Sequence, residues 1–233
     1  QHIVAAALPG KLIINPINDL VTVTIVGNKE SKMYNGSEQT TTGYNVTNIE
    51  GGNGKYTAED VALVTPGSDT ATGTDARAIA YPMGLTPESF HNINSNFTNV
   101  QFRVTDGELT ITKRNVVLTS AAASKSYDGT PLTNSEVTVT GDGFVDGEGA
   151  DYHVTGSQTV VGSSDNTFAE PAYTLHDNTK AKNYNITTQE GTLTVTANDN
   201  EVVVTIKEHG DIVTYDGTAH TVSGYDVVSI SNE

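Results

Sequence analysis

Residues 21–36 read VTVTIVGNKESKMYNG, and two later stretches reproduce them in register. Val21-Thr22-Val23-Thr24-Ile25 precedes Tyr34-Asn35-Gly36, Asn115-Val116-Val117-Leu118 precedes Tyr127-Asp128-Gly129, and Val202-Val203-Val204-Thr205-Ile206 precedes Tyr215-Asp216-Gly217. Each Tyr stands nine residues after the last apolar residue of its run, at positions 34, 127 and 215. A period on the order of 90 residues is that of a tandem array of small domains. In the first run Val21, Val23 and Ile25 alternate with Thr22 and Thr24, as Val137 and Val139 do with Thr138 and Thr140, which predicts strands with one face to a core and one to solvent. The Asn-Gly or Asp-Gly that follows each Tyr predicts a turn, because Gly tolerates positive φ.

Constant offsets extend this reading outward. At 181 residues, Gly43-Tyr44-Asn45-Val46 falls on Gly224-Tyr225-Asp226-Val227, and Gly10-Lys11-Leu12-Ile13-Ile14 on Gly191-Thr192-Leu193-Thr194-Val195. At 84 residues, Asn99–Thr112 (NVQFRVTDGELTIT) falls on Asn183–Thr196 (NYNITTQEGTLTVT). The chain therefore reads as a cut from an alternating array of A-type and B-type units. Residues 1–19 are the closing strand of a preceding B-type repeat with a linker, and 20–114 an A-type repeat. Residues 115–198 are a B-type repeat, and 199–233 a partial second A-type repeat.

The fold class predicted is all-β, a series of tandem Ig-like antiparallel β-sandwich repeats, because short strands recur at the spacing of such units. One or two short helical turns are expected in the A-type unit, at Thr57-Ala58-Glu59-Asp60 and Thr86-Pro87-Glu88, each with an N-cap residue and an acid in its first turn. Both ends of the chain leave sheet edges open. Residues 199–233 lack a closing strand and residues 1–14 offer one without a body, so the two ends are expected to meet, between molecules or within one.

These residues resemble the MBG ("mostly bacterial Ig-like") repeats found in tandem in large surface proteins of Gram-positive bacteria. The resemblance rests on Ser126-Tyr127-Asp128-Gly129-Thr130-Pro131-Leu132, Gly141-Asp142-Gly143-Phe144, Gly156-Ser157-Gln158-Thr159 and Asn183-Tyr184-Asn185-Ile186 closing at Gly191–Val195. It covers essentially the whole chain. It implies an Ig-like sandwich, display on the cell surface or cell wall outside the cell, and a stalk or adhesive role. It brings no catalytic residues and no cofactor.

Composition narrows the chemistry. With 28 acidic and 12 basic residues among 233, the net charge is −16, which argues against nucleic acid or an anionic membrane as partner. No apolar run is long enough to span a membrane. The absence of Cys excludes disulfides and thiol catalysis. A chain that begins at Gln1 with no basic leader reads as a processed or excised fragment, with no signal peptide expected.

Candidate sites are few. Gly141–Asp151 gathers Asp142, Asp146, Glu148 and Asp151 among glycines, and Asp199 and Glu201 flank a unit junction. Carboxylates on flexible loops suit calcium, but Gly-Asp clusters are also ordinary turn chemistry, and the latter is favoured. The six His have no zinc-binding spacing, and no GxSxG elbow is present. Carboxylates such as Glu88, Glu170 and Glu190 could pair as in a glycosidase, yet so acidic a surface generates pairs anyway. No metal, cofactor or catalytic residue is therefore assigned, and no enzyme is expected. The recurrent Tyr34, Tyr127 and Tyr215 read as sandwich-edge residues that fix the following turn through their hydroxyls. Tyr56, Tyr81 and Tyr173 fall outside the repeat and are better placed to stack on a sugar. An isopeptide cross-link would need a Lys in an apolar strand, and only Lys11 and Lys113 read as strand-like.

The function expected is that of a non-enzymatic repeat fragment of a bacterial cell-surface protein, an extended stalk with a role in adhesion. Its partners would be neighbouring repeats and a host glycan or glycoprotein. The alternative is a carbohydrate- or glycoprotein-binding module of a larger secreted hydrolase or adhesin.

Overall fold

In a computed structural model that describes residues 3–4 and 10–232, the chain is all-β, with several sheets and only single 3-10 turns besides. It divides into two compact units. The first contains the chain up to Leu118 with Val139–Tyr152 and Tyr173–Thr188; the second contains Thr119–Thr138, His153–Ala172 and the chain from Gln189 onward.

Among the described residues ten strands precede Lys113: β1 (Val21–Gly27), β2 (Lys29–Met33), β3 (Gln39–Thr42), β4 (Tyr44–Glu50), β5 (Val61–Leu63), β6 (Thr70–Gly73), β7 (Tyr81–Pro82), β8 (Phe90–Asn92), β9 (Val100–Thr105) and β10 (Glu108–Thr112). One sheet has the order β4-β1-β9 and another β2-β10-β7, while β3 pairs with β6 and β5 with β8. To the antiparallel pairing suggested by the alternation, the structure adds parallel pairs: β1 runs with β9 and β2 with β10. Val21, Val23 and Ile25 are fully buried, as the period of two requires. Each stabilises the fold by about 1.5–3 kcal/mol. Thr22 is buried as well, although alternation assigns its face to water, whereas Thr24 and Val26 on the same face are only partly covered.

The strand pair changes sheets at two glycines. A Cβ on Gly27 would lie 2.3 Å from the Gly107 nitrogen, so the backbones of the β1–β2 and β9–β10 corners touch where no side chain fits.

The remaining strands are β11 (Arg114–Ser120), β12 (Ala123–Ser126), β13 (Val137–Gly141), β14 (Ala150–Val154), β15 (Gly162–Asn166), β16 (Phe168–Leu175), β17 (Tyr184–Gln189), β18 (Gly191–Thr196), β19 (Val202–Glu208) and β20 (Tyr225–Asn232). Their sheets are β13-β11-β17, β12-β18-β15, β14-β16 and β19-β20. In the second unit the corner recurs in changed form. Ser120 stands at the position of Gly27; its Oγ donates to the Asn166 carbonyl (2.6 Å) and accepts the Gly191 N–H (3.0 Å).

The sequence offsets are realised in the pairing. Thr22↔Glu50 through Gly27↔Tyr44 in β1–β4 becomes Val203↔Ser231 through Glu208↔Tyr225 in β19–β20, with the bulge after Thr24 reappearing after Thr205. Asn28, whose Oδ1 accepts from Asn45, is replaced by His209 facing Asp226 at 3.1 Å. The expected helical turns form at Ala58–Asp60 and Pro87–Ser89, where Thr57 N–H donates to Asp60 Oδ2 (2.7 Å) and Thr86 N–H to Ser89 Oγ (3.0 Å). Two further 3-10 turns, Gly52–Gly54 and Ala181–Asn183, were not legible, and the second lies in the B-type span. Lys11 and Lys113 lie outside strands, whereas Lys29, Lys32, Lys125 and Lys207 lie within them, because short edge strands carry little apolar patterning.

Candidate functional site

Three side chains from distant parts of the sequence meet in the first unit. Tyr34, just after β2, donates its hydroxyl to Glu148 Oε1 (2.5 Å), and Tyr184, the first residue of β17, donates to Glu148 Oε2 (2.7 Å). The two rings pack edge to face with centroids 5.7 Å apart, and Phe144 lies 5.0 Å from Tyr184. Burial, then the facing carboxylate, raises the Tyr34 hydroxyl far above the usual phenol value; the same causes raise Tyr184 to about 12, against the Val145 N–H that donates to it. Both hydroxyls stay protonated and both carboxylate oxygens are occupied, so the cluster works as a latch.

Arg114 reinforces it by donating to the carbonyls of Gly143 (2.8 Å), Tyr34 (3.3 Å) and Asp142. A second set lies in the same unit. Asp75 accepts from Asn183 Nδ2 (2.9 Å) and pairs with Lys180 (3.1 Å) and Lys182 (2.8 Å), while Asn183 Oδ1 accepts the Ala76 N–H (2.8 Å). Burial alone would raise the Asp75 carboxyl, but the bonds from Lys182, Asn183 and Lys180 outweigh it and hold the value down at about 2.

The recurrent Tyr does not fix its own turn. The side chains of Asn35, Asp128 and Asp216 do so, each accepting the N–H two residues on, from Ser37, Thr130 and Thr218. The three Tyr then diverge: Tyr34 is 3% exposed, Tyr127 41% and Tyr215 92%.

Of the sugar-stacking candidates, Tyr56 is buried, its ring edge on to Phe97 and its hydroxyl donating to Asn92 Oδ1 (3.1 Å). Tyr81 has Arg77 3.4 Å above its ring centre and Gly73 against its ring edge atoms, and its hydroxyl donates to the Asp75 carbonyl (2.8 Å). Tyr173 is half-buried in β16.

The acidic candidates are dispersed in their roles. Glu148 belongs to the latch, Asp142 Oδ2 accepts the Asn115 N–H (2.8 Å), and Asp151 lies 3.4 Å from His176. Asp146, Asp199 and Glu201 are exposed. Among the described residues no group of three or more His, Asp or Glu is placed to hold a metal ion.

Nothing in the local sequence marks Tyr184, Asp75, Arg114 or Lys182 as members of a site. One signal was present: at the offset of 84, Tyr184 replaces Val100, a departure from the repeat at a buried strand start.

No protein-family model, characterised protein or solved structure gives a significant match to the chain. No helix among the described residues is long and apolar enough to cross a membrane.

Proposed function

We propose that the chain is a non-enzymatic repeat fragment of an extracellular protein on a Gram-positive cell surface, working as an extended stalk that presents adhesive parts elsewhere. The observation that carries this reading is the Tyr34–Glu148–Tyr184 latch, seconded by Asp75 with Lys180, Lys182 and Asn183. An array of repeats is stiffened where successive repeats are tied by side chains as well as by a linker. Here residues 34 and 75 of the first repeat are bound, within one compact unit, to residues 148 and 180–184 of the next. The latch is built from hydroxyls and a carboxylate, which suits a chain without Cys. The net charge of −16 keeps such a surface hydrated. The resemblance to MBG repeats supports the same reading.

Small-angle scattering tests it. A compact globule of this length has a radius of gyration of about 17 Å. A stalk gives a clearly larger value, and a value near the compact one rejects the proposal.

A second reading, a module for an acidic glycan, has one observation in its favour. An open groove of about 580 Å³ is lined by Arg77, Lys113 and Lys182 together with Thr110, Thr112, Asn115 and Asn185. Lys113, beside Arg77 stacked on Tyr81 and Lys182 paired with Asp75, gives this groove of an acidic chain a basic lining that favours a carboxylated or sulfated sugar. Reproducible binding on a glycan array, lost in Lys113→Ala, would establish this module; silence across acidic glycans rejects it.

A further inference from the structure

The Tyr34–Glu148–Tyr184 cluster is arranged for chemistry as well as for hydrogen bonding. The chain has no Cys and no Trp, 2 Met and 10 Tyr. Cys, Trp and Tyr are the side chains that give up a single electron most readily, so one-electron oxidation of this protein falls on its tyrosines.

Which tyrosine yields first depends on its proton. A phenol that loses an electron becomes strongly acidic, so oxidation is easiest where a hydrogen-bonded base takes the proton in the same step. Tyr34 and Tyr184 each donate to a carboxylate oxygen of Glu148, at 2.5 and 2.7 Å. Tyr56 donates instead to Asn92 Oδ1, and Tyr81 to the Asp75 carbonyl, and an amide oxygen is a far weaker base than a carboxylate. Glu148 is only half-buried, so a proton it takes can pass on to water.

Position supplies the second condition. The Tyr34 and Tyr184 rings pack edge to face with centroids 5.7 Å apart, and among the described residues theirs is the only contact between two tyrosine rings. Both residues are 3% exposed. An electron can cross several ångströms of packed protein to reach an oxidant at the surface, whereas a radical left on one buried ring meets the other ring before it meets solvent or another molecule.

We propose that Tyr34 and Tyr184 form an oxidative cross-linking site, with Glu148 as its base, at which a one-electron oxidant joins the first repeat to the second through a dityrosine bond. Each phenol gives one electron to an equivalent of oxidant and its proton to Glu148, which relays it to water. Losing the proton releases each ring from the carboxylate, so the turn about Cβ–Cγ that brings the two ortho carbons together breaks no further hydrogen bond. One C–C bond forms between those carbons, and each ortho hydrogen then moves as a proton to the oxygen of its own ring, restoring two phenols. The net loss is two electrons and two protons. The product ties the repeats permanently, as a disulfide would in a chain with Cys.

Illumination of the dilute 233-residue chain with tris(bipyridyl)ruthenium and persulfate, a source of one-electron oxidant, tests the proposal. The monomer loses the mass of two hydrogens, and peptide mapping finds Tyr34 joined to Tyr184. Tyr34→Phe and Tyr184→Phe keep both rings and the fold, as circular dichroism checks, yet abolish this product; Tyr127→Phe, at an exposed tyrosine, leaves it unchanged. Glu148→Gln keeps an oxygen acceptor but takes no proton, and slows the linkage by on the order of a hundred-fold. Heavy water slows it in the wild type, which a purely structural role for Glu148 does not predict. Monomer without the Tyr34–Tyr184 link, with coupling confined to exposed tyrosines, overturns the proposal, and so does a link that forms as fast in a folded Glu148→Gln chain.

Discussion

Tyr34 donates its hydroxyl to Glu148, a residue 114 positions further along the chain, at 2.5 Å, and Tyr184 holds the other oxygen of the same carboxylate. Removing the hydroxyl in Tyr34→Phe leaves Glu148 with one donor and costs about 1–2 kcal/mol. Glu148→Ala strands two part-buried hydroxyls and costs about 2–4 kcal/mol. Thermal unfolding of the three proteins measures the order, wild type above Tyr34→Phe above Glu148→Ala; a Glu148→Ala chain as stable as wild type contradicts the latch.

The latch makes the first unit sensitive to alkali. Tyr34 and Tyr184 both titrate above the ordinary phenol value in the folded chain, Tyr184 at about 12. A raised folded value means the stabilisation is complete below pH about 10 and declines as pH rises toward the folded values. Unfolding followed by circular dichroism between neutral pH and pH about 12 should show this decline, and a Tyr34→Phe, Tyr184→Phe chain should show a shallower one.

Asp75 gives the opposite dependence. Its folded value is depressed to about 2 by Lys182, Asn183 and Lys180 against the effect of burial. Its contribution is therefore full above pH about 4 and disappears as pH falls through about 2. Asp75→Asn should cost about 1–3 kcal/mol at neutral pH and little at pH about 2. Equal losses at the two pH values would contradict the assignment.

At Gly107 and Gly191 the sheet-crossing corners leave no room for a side chain. A Cβ on Gly107 would lie 2.6 Å from the Asn28 carbonyl oxygen, and one on Gly191 would lie 2.3 Å from the Ser120 oxygen. Gly107→Ala and Gly191→Ala should each destabilise by about 2–4 kcal/mol. Gly210→Ala, where a Cβ meets nothing within 4 Å, is the control and should melt with the wild type.

Much of the fold was legible because the signals are local. The alternation in residues 21–25 forms β1, the Asn-Gly and Asp-Gly pairs form turns, and Thr57 and Thr86 open short helical turns. The offset of 181 predicts the pairing of β19 with β20 residue for residue. Less of the site was legible. Glu148 stands among glycines and reads as a loop acid, with calcium the less favoured alternative, since nothing nearby in sequence names two tyrosines as its partners. Tyr56 escaped the repeat register and so looked available, but it is buried against Phe97.

The recurrent tyrosine divides the two kinds of information. Its place after the first strand, and the Asx turn behind it, follow from consecutive residues at 34, 127 and 215 alike. Its environment does not: the same local sequence leaves Tyr34 3%, Tyr127 41% and Tyr215 92% exposed. Backbone geometry is set by neighbours along the chain, which the sequence states. Burial is set by whichever distant segment arrives, and for Tyr34 that segment is the one carrying Glu148.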